Sequence, residues 1–308
     1  MTKILYIASP PYSGSTLLAF LLATHPDIGT IGERGHFHRK MVARPVIGSP
    51  YCSCGKPFAE CPFWQQVGAK VAAKVPPAVW QQPFSTYRLF TGPRLLVKLV
   101  DRWLLAAALK GNTGRLPTFI RHRYQAMGQA NASLIQAVLE VSGKSLFLDS
   151  SKSEKDALLL NDIPGFQVYL IQLLRDGRAQ VHSTLGHHAN HTIESASRQW
   201  AGRIKAQQAL LQKANLPCLP VKYEQLCQNP QTVMDDIFSF AGLAPGRGSL
   251  QFRRPDLHLM GNPMRLENSN DIKDKAQWRT DLTPTQLQIF EQIAGPTNRA
   301  LGYTDPND

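Results

Sequence analysis

Four short apolar runs punctuate this chain: Ile4–Ala8, Leu146–Leu148, Val168–Leu174 and Leu216–Val221. Each is continuous rather than alternating, the pattern of a strand covered on both faces. The segments between them carry helical periodicity. Thr16–Thr24 is apolar until His25-Pro26 stops it, and Ala126–Val141 sets Met127, Ala130, Leu134 and Val138 on one face. Asn229-Pro230 and Thr283-Pro284 predict two helix starts, each a capping side chain before a proline at the first helical position. Gly242 and Gly295, the latter followed by Pro296, predict where those helices end. Trp200 shares a helical face with Ile204 and Leu211, which assigns it to the core rather than to an adenine stack. Strand and helix alternate throughout, so the pattern predicts an α/β protein with a mostly parallel, doubly wound sheet.

Composition narrows the class. With 43% hydrophobic and 18% charged residues, the 308-residue chain is an ordinary globular sequence, read as a single domain over 1–308. No run approaches the roughly 18–20 apolar residues that span a bilayer, and Ile4–Ala8 is too short for a signal peptide's apolar segment, so a cytoplasmic location is expected. The net charge of +12 suits a polyanionic ligand, nucleic acid or an anionic membrane surface. No zinc-finger spacing, helix-turn-helix signature or aromatic RNA motif accompanies that charge, so no nucleic-acid partner is expected.

The stretch from about residue 39 to 128 is rich in proline and glycine and reads as an insertion over the catalytic face, a lid shaping the acceptor site. Eight Lys/Arg and a single acid, Asp101, lie between Arg88 and Arg123. They form either a solvated helix face or a surface that draws an anionic acceptor or a membrane. Three of the five cysteines cluster as Cys52, Cys54 and Cys61, with His36 and His38 upstream. That spacing leaves open three thiolates for zinc, a turn of buried thiols, or a disulfide. It lacks the two Cys-x-x-Cys pairs of the usual structural zinc site, and no metal is assigned.

The chemistry concentrates in two motifs. Ile4–Ala8 runs into Ser9-Pro10-Pro11 and then Tyr12, Ser13, Gly14, Ser15, Thr16 and Leu17. A strand, a small-residue turn and a helix start aim free backbone N–H groups and hydroxyls at one point, which binds phosphate or sulfate. The lysine of the ATP-binding loop is missing. Later, Val168–Leu174 delivers Arg175 at its carboxyl end, and Asp176-Gly177 turns into a helix holding Ser183. Arginine offers a planar fork to a phosphate, and the serine adds a hydroxyl eight residues on. The plain alternative is a surface Arg-Asp turn with a structural serine. Together the motifs imply a ligand with two separated anionic groups in a crevice at the carboxyl ends of the strands.

In combination they resemble the sulfotransferases that use 3′-phosphoadenosine 5′-phosphosulfate (PAPS), and Arg175-Asp176-Gly177-Arg178-Ala179 is particularly similar to the tyrosylprotein and carbohydrate branches. Tyr12-Ser13-Gly14-Ser15-Thr16 matches that family's 5′-phosphosulfate loop, and Arg175 with Ser183 its 3′-phosphate motif. The resemblance implies a P-loop-like three-layer fold, with helices flanking a mostly parallel central sheet and a largely helical insertion over the active site. It implies PAPS as donor, adenosine 3′,5′-bisphosphate (PAP) as product, and no metal requirement.

Further matches extend it. Gly32-Glu33 is similar to the segment bearing the catalytic base, so Glu33 is expected to take the acceptor's proton, with His36 and His38 in reserve. A surface ion pair between Glu33 and Arg34 is the alternative. Lys152, in Leu148-Asp149-Ser150-Ser151-Lys152, is expected on the sulfuryl group; Tyr223, in Tyr223-Glu224-Gln225-Leu226, near the nucleotide; and Arg265, in Gly261-Asn262-Pro263-Met264-Arg265, in a loop closing over PAPS. One departure matters: Tyr12 stands where the family places lysine or arginine, leaving Lys152 or Arg34 to supply the missing charge. An impaired PAPS- or PAP-binding relic of the same fold is therefore the main alternative, and a small-molecule kinase a further one. Glycan, lipid-like alcohol, phenol and peptide tyrosine acceptors all stay open, as does the oligomeric state.

Overall fold

A computed structural model describes residues 1–37, 51–76, 93–261, 263–274 and 276–304. Five strands, β1 (Thr2–Ala8), β2 (Ile28–Thr30), β3 (Leu146–Lys152), β4 (Phe166–Leu174) and β5 (Cys218–Lys222), form one parallel sheet in the order β2-β3-β1-β4-β5. The helices used below are α1 (Ser15–Leu22), α2 (Pro62–Lys74), α3 (Arg94–Leu109), α4 (Thr118–Ser142), α5 (Glu154–Asn161), α6 (Gly177–His187), α7 (Ile193–Leu211), α8 (Tyr223–Gln228), α9 (Pro230–Phe240), α10 (Trp278–Asp281) and α11 (Pro284–Ala300).

In β1, β3 and β4 the continuous apolar runs are explained by burial on both faces. β5 instead lies at the edge of the sheet with only Val221 buried, which corrects the expectation of a covered strand over Leu216–Val221. In β1, Ile4, Tyr6 and Ala8 enter one core with Val168, Leu170 and residues of α2, α4 and α5. Leu5 and Ile7 enter the other with Ile171, Leu173 and residues of α1 and α9. The result is three layers, helix on sheet on helix.

Some expected boundaries moved. β2 was not foreseen: three residues with a central glycine carry no strand signal, and the strand exists through its pairing of Ile28, Gly29 and Thr30 with Leu146, Phe147 and Leu148. The long helix begins at Thr118 rather than Ala126 and runs through Gly128 without interruption to its left-handed cap at Gly143. Thr283 forms a capping box with Gln286 as its sequence implies. Asn229 makes no side-chain cap, because α8 ends directly before it and its backbone N–H closes that helix on the Gln225 carbonyl at 2.8 Å.

Gly295-Pro296 does not end the last helix. Proline removes one backbone donor, yet α11 continues to Ala300, held by the buried Thr297 and Asn298 of its final turn. Within that turn Asn298 accepts from the Gly177 N–H at 2.9 Å and donates to Asp176 at 3.2 Å. Trp200 is core, as expected: it covers Gly177 so closely that a Cβ there would lie 2.6 Å from the indole.

The described part of the expected insertion shares the core of the rest. Trp64, Val67 and Val71 of α2 join Ile4 and Tyr6, and Leu104 and Ala107 of α3 pack with Tyr124, Met127 and Leu159. Among the described residues no helix is long and apolar enough to cross a membrane.

Candidate functional site

All five strands end at the same edge of the sheet, and each delivers one of the expected residues there. In spatial order, the segment after β2 brings Glu33, β3 ends on Lys152, and β1 leads into the Tyr12–Leu17 loop. Next come Arg175 after β4 and Tyr223 after β5. In an open parallel sheet this carboxyl edge is where ligands bind.

The loop is built by two left-handed residues, Tyr12 (φ 63°) and Gly14 (φ 84°). The first helical bond of α1 is donated by Leu18 to the Gly14 carbonyl at 3.1 Å. The N–H groups of Ser15, Thr16 and Leu17 therefore have no intrahelical acceptor and lie at the positive end of the helix dipole. The Ser13 hydroxyl braces the turn instead of facing outward: it donates to the Pro10 carbonyl at 2.9 Å and accepts from Gln180 Nε2 at 2.8 Å. Only glycine fits at position 14, because an added Cβ would sit 2.3 Å from the Tyr223 ring.

Arg175 joins this loop directly. Its guanidinium donates to the Tyr12 carbonyl at 2.8 Å and lies over the Tyr223 ring, 4.6 Å from its centroid. Asp274 is 3.6 Å away. The Arg175 Nε is buried and has no protein partner among the described residues, a donor suited to an incoming anion. Ser183 lies on α6 as expected, with its hydroxyl donating to the Ala179 carbonyl at 2.9 Å. Tyr223 is thus the lid of the loop and the platform of Arg175, and burial raises its phenol's pKa above the ordinary value.

On the other side of the loop, Glu33 and Lys152 pair at 2.6 Å. Both are partly accessible. Lys152 adopts φ 72°, and its carbonyl accepts from the Ser9 N–H at 3.1 Å, so the strand ends in a left-handed turn tied to the start of the anion loop. Only three non-glycine residues among those described have positive φ, and two of them, Tyr12 and Lys152, are in this site. Such strain costs about 1–3 kcal/mol each and collects at functional positions.

Arg34 is not the surface partner of Glu33 that the sequence left open, because it has no exposed surface. It is fully buried beneath the site, bonded to Asp149 at 2.8 Å and also to Asp156 and Asn131. Burial alone would lower its pKa, but Asp156 and Asp149 together hold it above the usual arginine value. Sequence reading missed this cluster, although Asp149 inside an apolar strand was a signal, since a buried carboxylate demands a cation. His38 and the His36 side chain, the reserve bases, lie outside the described residues.

Tyr12 turns toward the end of α6. Its hydroxyl is 3.0 Å from His188 Nε2, and its ring stacks on His187 with centroids 4.7 Å apart. Neither histidine was singled out by sequence, because nothing local links position 12 to position 188. Arg265 is buried, donating to the carbonyls of Tyr51 at 3.0 Å and Gly261 at 2.5 Å. It latches the loop after residue 261 to the cysteine segment.

Fold and site define an α/β protein whose parallel sheet carries a strand–loop–helix turn with free backbone N–H groups at its carboxyl edge, flanked by an arginine on one side and a carboxylate–lysine pair on the other. No protein-family model matches the chain, and no curated protein matches it. Solved structures similar to it include the sulfotransferase domain of the Synechococcus PCC 7002 olefin synthase (20% identity, 95% of this chain and 94% of that one, TM-score 0.49). The sulfotransferase domain of the curacin biosynthetic pathway is similar at 14% identity over 99% of each chain, with a TM-score of 0.46. Sulfotransferase STF9 from Mycobacterium avium is similar at 14% identity over 96% of this chain and 76% of that one, with a TM-score of 0.47.

Proposed function

We propose that this protein transfers a sulfuryl group from PAPS to a hydroxyl or amine of an acceptor. The observation that carries the reading is the lateral order of the site. The anion loop stands between Arg175 with Tyr223 on one side and Glu33 with Lys152 on the other. A nucleotide seated on the loop by its 5′ end would direct its 3′-phosphate toward Arg175 and present the sulfuryl group toward Lys152.

In that arrangement the N–H groups of Ser15, Thr16 and Leu17 hold the phosphosulfate, with the Gly14 turn letting the backbone approach. Arg175 and Ser183 hold the 3′-phosphate, the serine hydroxyl turning from its helix carbonyl, and Tyr223 packs beside the nucleoside. The Glu33 carboxylate takes the proton of the acceptor as the new oxygen–sulfur bond forms and the sulfur–oxygen bond to the 5′-phosphate breaks. Lys152 stabilises the charge that passes to the leaving phosphate. Its ammonium already lies on Glu33, so an arriving sulfonate would draw it away and leave the carboxylate available as base. Arg265 supports the closing loop from below.

A PAP-binding protein without turnover is the second reading, favoured by Tyr12, which brings a phenol bonded to His188 where a cation would serve the leaving group. Transfer of radiolabel from PAPS to a mixed acceptor panel separates the two. Labelled product supports the enzyme, whereas tight PAP binding with no transfer supports the binder. Stronger thermal stabilisation by ATP with magnesium than by PAP would instead favour a kinase.

Two substitutions test the donor site. Arg175→Ala should weaken PAP binding by about 2–3 kcal/mol, roughly 30- to 150-fold in dissociation constant by calorimetry. An unchanged constant would remove the 3′-phosphate assignment. Gly14→Ala adds both a left-handed alanine and a clash with the Tyr223 ring. It should cost at least about tenfold in PAP affinity, and full affinity would mean that the loop is not the phosphate cradle.

A further inference from the structure

The three clustered cysteines acquire a fourth partner that their spacing did not reveal. Ligand atoms of Cys52, Cys54, Cys61 and His258 all lie within 4.8 Å of one another. Cys54 Sγ is 3.7 Å from Cys61 Sγ, and His258 Nδ1 is 3.4 Å from Cys61 Sγ and 3.6 Å from Cys52 Sγ. A tetrahedral ion with metal–sulfur bonds of about 2.3 Å and metal–nitrogen bonds of about 2.0–2.1 Å separates two sulfurs by ~3.8 Å, and sulfur from nitrogen by ~3.6 Å. The three measured edges agree with that figure to within a few tenths of an ångström.

The surroundings are those of a metal-ligand shell. Cys52 and Cys54 sit in a tight turn closed by Cys52 N–H to the Lys56 carbonyl at 2.8 Å and Gly55 N–H to the Cys52 carbonyl at 3.0 Å. Cys61 directly precedes α2, at the positive end of its dipole. The indole N–H of Trp64 donates to Cys52 Sγ at 3.4 Å. The His258 ring is held flat against Phe63, with centroids 4.5 Å apart. Outer contacts of this kind fix the orientation of ligands. A disulfide would use two of the sulfurs and leave the third thiol and the imidazole without a role.

We propose that Cys52, Cys54, Cys61 and His258 form a structural Cys3His zinc site. Three thiolates and an imidazole are a zinc donor set, and four protein ligands leave no open position for catalysis. Each thiol gives up its proton as the ion binds, and no redox step is involved. The ion staples two remote segments that Ser53 already sews together, through its hydroxyl to the Leu257 carbonyl at 2.6 Å and from the Leu259 N–H at 2.8 Å. The next residue, Met260, donates its N–H to the Ile31 carbonyl at 2.7 Å and accepts from the Glu33 N–H at 3.4 Å. The zinc site thus fixes the backbone that carries Glu33, whatever reaction that carboxylate serves.

Metal analysis of the full chain, purified under reducing conditions without chelator, should find one zinc per chain, released when the thiols are blocked with a mercurial. The double variant Cys54→Ser, Cys61→Ser should retain less than about a tenth of an equivalent, while Cys218→Ser should retain all of it. If the double variant fails to fold, the wild-type chain stripped of metal and given cobalt should develop the thiolate-to-cobalt absorption of a tetrahedral site. Wild-type protein without zinc that gives no such absorption would overturn the proposal. So would native mass spectrometry showing two of these cysteines joined as a disulfide. Metal content is read without donor or acceptor, so this outcome stands apart from that of the transfer assay.

Discussion

Arg34→Met is expected to destabilise the protein by about 3–5 kcal/mol, enough to unfold much of it, since domains hold only about 5–15 kcal/mol in total. The methionine matches the volume of the arginine stem but leaves Asp149 and Asp156 buried without their cation. Asp156 also accepts from the Tyr6 hydroxyl at 3.3 Å, and Asp149 from the Ser151 N–H at 2.9 Å, so the loss spreads into β1 and the turn before Lys152. Denaturant titration measures it. Adding Asp149→Asn and Asp156→Asn should recover part of the loss, because it removes the stranded charges. A loss below about 1 kcal/mol for Arg34→Met would place this cluster among ion pairs that contribute little.

Glu33→Gln should reduce turnover by roughly 10²–10⁴-fold, the range for a positioned general base. PAP affinity should stay near wild type, because Glu33 and Arg175 stand on opposite sides of the loop. The amide keeps the shape and can still accept from Lys152, so the change isolates proton transfer from packing. The split between kcat and donor affinity is the informative readout. Retained turnover would move the base elsewhere, whereas loss of PAP affinity would give Glu33 a part in holding the donor.

The elements read best from sequence are those whose signal is local. β1, β4 and the helix after the Tyr12–Leu17 loop follow from apolar runs, and the capping residue Thr283 is visible before Pro284. The tip of the Tyr12–Leu17 loop is legible because Gly14 must be glycine wherever that turn occurs. β2 was invisible because a three-residue strand is made by its neighbour. The Gly295-Pro296 stop failed because burial of Thr297 and Asn298 outweighs one missing backbone bond.

By itself the sequence determined the parallel α/β architecture and marked the Tyr12–Leu17 loop, Glu33, Lys152, Arg175 and Tyr223 as candidates, because each belongs to a short contiguous pattern. The tertiary structure alone decided how they stand to one another: Glu33 with Lys152 rather than Arg34, Tyr12 with His188, Arg175 braced on the loop, and His258 brought to three cysteines. Those pairings join residues more than a hundred positions apart. Only strand order and packing choose partners across such distances, since a side chain's own neighbours in sequence carry no record of what the fold sets beside it.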